Sequence, residues 1–279
     1  MNVTIIGIGL IGGSIAKDIR KKGLANKIIG VESSKEIGSR ALDLGLVDEI
    51  SELKIAVSES ELLILATPVD ISLQLIPDLM GMITQQTIVD VGSTKWDLYN
   101  SIETHPKRDQ FVLAHPMAGT EFSGPEAAVE HLFEDKVCIL CDTQENNLMH
   151  LQKAKHLFRS LGMRILLMKS EEHDLHAAYV SHISHISSFA LALTVLEKEK
   201  DEKKIFDLAS GGFDSTVRLA KSSPEMWAPI FRQNKANVLR VLDTYIEKLN
   251  AFKEEISKGN KIELVELIRE ANRIGKVLK

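Results

Sequence analysis

Cysteine is scarce in this chain of 279 residues. Cys138 and Cys141 are its only two, too few for a disulfide framework, which predicts a reducing, cytoplasmic setting. No uninterrupted apolar run approaches the roughly 18 residues of a membrane span, so no membrane partner is expected. Basic charge is not in excess: 34 Lys and Arg face 39 Asp and Glu, and the net charge of -5 speaks against a nucleic-acid partner. The first residues, MNVTIIGIGLIGGSIA, carry no basic leader and read directly as a strand, so no signal peptide is expected. Aromatic residues make up only 5%, whereas 44% of the chain is apolar and 26% charged. The last two fractions are globular averages and exclude a disordered or fibrous protein. The length suits one large or two medium domains with a full core.

Short β-branched runs alternate with helical stretches through the first two thirds. Val3–Ile6, Lys27–Val31, Leu62–Ala66, Thr87–Val91 and Gln110–Ala114 are compact apolar runs, most of them followed by turn residues. Continuous apolar strands separated by helices predict a parallel sheet covered on both faces, the doubly wound α/β pattern. Lys136–Cys141 and Arg164–Met168 flank a further helical stretch and are expected to extend the same sheet. From about Ser170 strand-like runs stop. Helices are predicted at His173–Lys198, Lys203–Leu208, Asp214–Lys221, Pro224–Lys258 and Ile262–Leu278. In the fourth, Ile230, Val238, Leu242, Ile246 and Leu249 recur at helical spacing. Lys198–Lys204 reads as a solvated helix end or loop. The expected organisation is a doubly wound domain over residues 1–169 and an all-α domain over residues 170–279.

The strand Val3–Ile6 runs straight into Gly7-Ile8-Gly9-Leu10-Ile11-Gly12, and a helical stretch follows. This is G-x-G-x-x-G in the strand–turn–helix setting that gives it meaning, a Rossmann-like dinucleotide-binding turn. Gly7 permits the tight turn, Gly9 lets the backbone approach a pyrophosphate, and Gly12 lets helix and strand close together. Leu10 and Ile11 open the helix whose N–H groups and dipole favour the phosphates. The second strand ends at Glu32, where a carboxylate can bind ribose hydroxyls. Ser33, Ser34 and Lys35 follow, with no arginine to receive a 2′-phosphate, which favours NAD over NADP. Thr67 and Pro68 close a later strand at the edge where a parallel sheet presents its ligand crevice, and join the cofactor site.

Two further strands end in polar turns on that edge, one carrying Ser93 and the other His115. A histidine there can accept a hydroxyl proton while hydride leaves the same carbon, as an NAD-dependent alcohol oxidation requires. The helical domain opens with His173-Asp174-Leu175-His176, then Ser181-His182-Ile183-Ser184-His185. His182 and His185 share a helical face, with His176 two turns earlier near it. No matching third ligand accompanies them, so no metal is assigned. His105, His131, His150 and His156 carry no motif and read as surface residues, and Cys138 and Cys141 as core. Gly211-Gly212-Phe213 precedes a short helix bearing Arg218, whose guanidinium suits a carboxylate.

Taken in order, these residues resemble the prephenate dehydrogenase family of tyrosine biosynthesis. The match comprises G-I-G-L-I-G-G-S at Gly7–Ser14, A-T-P-V at Ala66–Val69, D-V-G-S-T-K at Asp90–Lys95 and H-P-M-A-G-T-E at His115–Glu121. It continues with S-H-x-x-H at Ser181–His185, G-G-F-x-x-x-x-R at Gly211–Arg218 and S-P-E-M-W at Ser223–Trp227. The resemblance implies NAD-dependent oxidative decarboxylation of prephenate to 4-hydroxyphenylpyruvate by a homodimer joined through its helical domain. It further implies that His115 takes the proton of the ring hydroxyl, while Ser93 contacts that hydroxyl and helps orient His115. His185, with His182, would line the substrate pocket, Arg218 would bind a substrate carboxylate, and Glu121 would sit at the mouth of the site. Arogenate dehydrogenase, with the same chemistry on an amino side chain, and a non-catalytic NAD-binding regulator are the alternatives. Two positions depart from the family pattern: Ser184, where proline is frequent, and Ser215, where an acid often lies three before the arginine while here Asp214 stands one place earlier.

Overall fold

Residues 1–199 and 205–277 are described by a computed structural model; most of the polar Lys198–Lys204 stretch and the start of the predicted Lys203–Leu208 helix lie outside them. The described residues contain one sheet of eight strands in the order β3-β2-β1-β4-β5-β6-β7-β8. β1 (Asn2–Ile6), β2 (Lys27–Val31), β3 (Glu49–Ile50), β4 (Leu62–Leu65), β5 (Thr87–Asp90) and β6 (Phe111–Pro116) run parallel. Parallel neighbours need crossovers, which α1 (Leu10–Lys21), α2 (Lys35–Asp43), α3 (Leu53–Glu59), α4 (Val69–Met82) and α5 (Trp96–Ile102) supply. β4 shows why its sequence is apolar throughout. Leu62 and Ile64 join a core shared with Ile15 and Ile19 of α1, whereas Leu63 and Leu65 join a second core shared with Ile76 and Leu79 of α4. Both faces are covered, so alternation disappears.

The parallel expectation stops at β6. β7 (Val137–Cys141) pairs with β6 antiparallel, and β8 (Arg164–Met168) then runs parallel to β7 after α6 (Leu148–Ser160). Between β6 and β7 the chain forms only a short 3-10 turn at Pro125–Ala127, with no helix to carry it back across the sheet, so it returns beside β6 in the opposite direction. His150 is a second correction. It is buried in α6, with Nδ1 2.7 Å from the Thr87 hydroxyl of β5, and so is not a surface residue.

Met1–Asn234 forms one compact unit and Lys235–Lys279 another. In the first, α7 (Ser170–Ala177) passes through a π-helical turn at Ala178–His182 into α8 (Ile183–Glu199). By length and composition, though not by any unbroken apolar run, Ser170–Glu199 is apolar enough to cross a membrane. Its buried His173, Asp174 and His182 instead take partners within the same unit. α9 (Gly211–Val217) begins at the glycine pair read as a turn, and α10 (Pro224–Gln233) ends at Asn234. The predicted Pro224–Lys258 helix is therefore two, because Asn234 leaves helical geometry to place its buried amide against Asp174 and His182. In the second unit α11 (Lys235–Lys258) packs against α12 (Lys261–Asn272). Ile246 and Leu249, which recur at helical spacing, are exposed there, as are Ile256, Ile262 and Ile268.

Candidate active site

The glycine turn closes as its residue types require. Gly7 has φ +91°, and a Cβ on it would lie 2.8 Å from the Ala66 carbonyl oxygen. A Cβ on Gly12 would overlap the Gly7 carbonyl, whereas the space beside Gly9 is open. α1 starts after Gly9 with no side-chain cap and no acid in its first turn, so the N–H groups at Leu10 and Ile11 keep their affinity for an anion. Glu32 ties the end of β2 to this turn. Its Oε2 accepts the Ile8 N–H at 3.2 Å, and its Oε1 accepts those of Ser33 at 2.8 Å and Ser34 at 3.3 Å. Thr67 shares a 2.8 Å hydroxyl contact with Ser72, and Pro68 leads into α4. These groups surround the point where strand order reverses, between β1 and β4, and they fit a dinucleotide.

Two strands further along the same edge, β6 carries His115. Its Nδ1 lies 2.7 Å from His173 Nε2, and His173 Nδ1 lies 2.7 Å from Asp174 Oδ1. The Asp174 carboxylate also accepts the backbone N–H groups of Lys95, at 2.8 Å, and Trp96, at 3.0 Å. The β5–α5 turn thus holds the base of this chain. Ser93 lies in that turn, half-buried, and makes no side-chain hydrogen bond to a described residue. His115 is therefore oriented by His173 and not, as expected, by Ser93. Beneath the turn Lys95 and Asp90 form an ion pair with both side chains excluded from solvent. Enclosure, reinforced by the Lys95 cation, holds His115 well below the ordinary imidazole value.

Asn234 Nδ2 donates to the Asp174 carbonyl at 2.6 Å and to His182 Nδ1 at 3.2 Å. Burial pushes His182 down to about 4 despite the nearby Asp174 carboxylate. His182 meets the Trp227 ring edge-on, and His185 stacks on that indole with ring centres 3.5 Å apart. Burial also lowers His185. Trp227 Nε1 is buried without a hydrogen-bond partner among the described residues, a donor beside the histidine pair. Arg218 Nη1 donates to Glu121 Oε2 at 3.0 Å, joining the end of α9 to the β6–β7 loop. Asp214 instead pairs with Lys221 at 3.2 Å, and His176 points away and is exposed.

Ser93, His115, His182, His185, Arg218 and Glu121 thus all belong to one unit, and apart from Ser93 each has a partner in the chain of contacts just described. Sequence reasoning assigned no role to His173, Asp174, Asn234 or Lys95. His173 and Asp174 did carry a signal: they precede Ala177 and Ala178, small residues that mark the buried side of α7.

A family model described as "Prephenate dehydrogenase, nucleotide-binding domain" matches residues 15–167, and one described as "Prephenate dehydrogenase, dimerization domain" matches residues 169–270. A prephenate dehydrogenase from Bacillus subtilis (strain 168) is 34% identical over 260 residues, covering 92% of this chain and 70% of that protein. The crystal structure of A. aeolicus prephenate dehydrogenase in complex with hydroxyphenyl propionate and NAD+ superposes with a TM-score of 0.90 at 33% identity, over 100% of this chain and 98% of that one. Synechocystis arogenate dehydrogenase gives a TM-score of 0.78 at 28% identity over the whole of both chains.

Proposed function

The chain belongs to the prephenate dehydrogenase family, and from that premise we propose that it converts prephenate to 4-hydroxyphenylpyruvate and CO2 with NAD+. The observation that carries this reading is the placement of His115, lowered in basicity and backed by His173, on the sheet edge that also bears the glycine turn. Residues 1–169 act as the dinucleotide domain and residues 170–279 as the substrate and dimerisation domain.

Gly7, Gly9, Leu10, Ile11 and Gly12 take the pyrophosphate, Glu32 the ribose, and Thr67, Pro68 and Ser93 line the nicotinamide side. NAD+, when bound, supplies the hydride acceptor. His115 Nε2 accepts the ring-hydroxyl proton, so the carbon that loses hydride becomes carbonyl-like, and loss of the ring carboxylate as CO2 aromatises the ring. Ser93 hydrogen-bonds the same hydroxyl. Arg218 forks onto a substrate carboxylate, exchanging its contact with Glu121 at the mouth of the site. His182 and His185, neutral through burial, and the free Trp227 Nε1–H line the side-chain pocket without adding charge.

The exposed isoleucines of the second unit, together with the dimerization-domain match, support a homodimer. Two free, buried cysteines suit a cytoplasmic enzyme. Arogenate is the second reading, favoured by the likeness to the Synechocystis enzyme. The test is a spectrophotometric assay of prephenate and arogenate, each with NAD+. Turnover of prephenate is expected, and His115→Asn should lower kcat by roughly 10²–10⁴-fold with a modest change in KM. Near-normal kcat in that variant would remove His115 from the chemistry, and turnover of arogenate alone would select the second reading.

A further inference from the structure

The hydrogen bonds behind His115 can be oriented from one end. Backbone amides only donate, so both oxygens of Asp174 are acceptors toward Lys95 and Trp96. The remaining contact on Oδ1 comes from His173 Nδ1, which must therefore carry a proton. A neutral His173 is then bare at Nε2, and the atom facing it, His115 Nδ1, must be the donor. His115 is left with its lone pair on Nε2, the nitrogen not engaged by His173. Each step follows from the one before, and the series is anchored in the backbone of the β5–α5 turn.

We infer that His173 and Asp174 are a positioning pair that sets the tautomer of His115, keeping Nε2 unprotonated to receive the substrate's hydroxyl proton. This rests on the reading of His115 as the base. The proton arriving at Nε2 makes His115 a cation with both ring nitrogens protonated. Its Nδ1–H remains bonded to His173, and the Asp174 carboxylate faces the resulting charge through that ring. Asp90, Lys95, His182 and Cys138, whose thiol lies against the His115 backbone, are other titratable groups close by among the described residues, and none of them hydrogen-bonds the His115 ring. Lys95 is directed at Asp90, and His182 at Asn234.

An amide at position 174 breaks the anchor. With one backbone donor fixed on each oxygen, Asp174→Asn must turn its NH2 either toward Trp96 or toward Lys95 and His173 together. Turned toward His173, it reverses both imidazoles and protonates His115 at Nε2. A wrong tautomer in a serine-protease triad lowers kcat about 10⁴-fold, and a loss of roughly 10²-fold or more is expected here, with KM for prephenate and the Kd for NAD+ little changed. His173→Leu, which removes the acceptor, should lose a similar factor. His173→Gln, whose amide oxygen reaches the Nε2 position, should recover most of it.

Nitrogen-15 NMR of the imidazoles in wild-type enzyme reads the tautomer directly, without turnover, with His115→Asn identifying the resonance. His115 protonated at Nδ1 and bare at Nε2 is the expected state. Protonation at Nε2 in the wild type, or equal activity of the Leu and Gln variants, would each overturn the pair's role. If His115→Asn turns over normally while the wild-type tautomer is as expected, the reading of His115 as base fails and the structural assignment stands.

Discussion

Lys95 Nζ donates to the Asp90 carboxylate in an ion pair that solvent does not reach, and the turn bearing Ser93 lies between the two residues. Asp90 Oδ1 also accepts the Gly92 N–H at 3.1 Å, so the pair fixes the turn from inside. Removing one partner leaves a buried charge without compensation. Lys95→Met should destabilise the protein by about 3–5 kcal/mol, and the additional change Asp90→Leu should recover much of that loss. Urea unfolding of the two variants checks both statements. A single-variant loss under about 1 kcal/mol would mean that the pair is not held as described.

The second prediction concerns pH. His115 works as a base only when neutral, so activity falls as pH drops through its pKa. Enclosure, reinforced by the Lys95 cation, lowers that pKa, which moves the acid limb below the usual histidine value of about 6.5. In Lys95→Met the cation is gone, so the limb should shift upward toward neutrality. The profile of kcat/KM measures this in the free enzyme. A wild-type acid limb centred at or above pH 7 would contradict it.

The sheet-edge part of this site was legible in the sequence because its motifs sit at strand ends, where chain order alone fixes the sheet edge. The glycine turn, Glu32 and His115 needed only strand boundaries and residue chemistry, whereas Arg218, in the helical region, was reached through the family resemblance. The direction of β7 was not legible, since an apolar strand looks the same in either orientation. Nor was the break at Asn234, because the apolar spacing of Ile230 and Val238 continues through it. The His173–Asp174 pair stayed hidden for a related reason: two polar residues at the start of a helix read as solvated until tertiary packing buries them.

Arg218 provides the third prediction. Its guanidinium is half-exposed and hydrogen-bonds only Glu121 among the described residues, so its loss should leave the fold intact. Arg218→Ala removes hydrogen bonds to a charged ligand, which contribute about 1.5–3 kcal/mol, or roughly 10- to 150-fold in kcat/KM for prephenate. Arg218→Lys keeps the charge without the fork and should fall between the two. NAD+ affinity, followed by fluorescence titration, should not move. An unchanged kcat/KM in Arg218→Ala would take the arginine out of substrate binding.

The last prediction separates the two jobs of Glu32. Its carboxylate holds the Ile8 N–H of the glycine turn and, at the end of β2, is placed to bind a ribose. A 2′-phosphate would meet a carboxylate there with no arginine nearby, so NAD+ should be preferred over NADP+ by at least tenfold, about 1.4 kcal/mol. Glu32→Gln keeps an acceptor for Ile8 but removes the charge, so the preference should narrow while NAD+ still binds. Glu32→Ala removes both, and NAD+ affinity should fall further because the Ile8 N–H loses its partner. Steady-state kcat/KM with each cofactor, together with Kd values for NAD+, distinguishes the variants. Equal kinetics with NADP+ in the wild type would show that the Glu32 charge does not set cofactor choice, whatever it contributes to the turn.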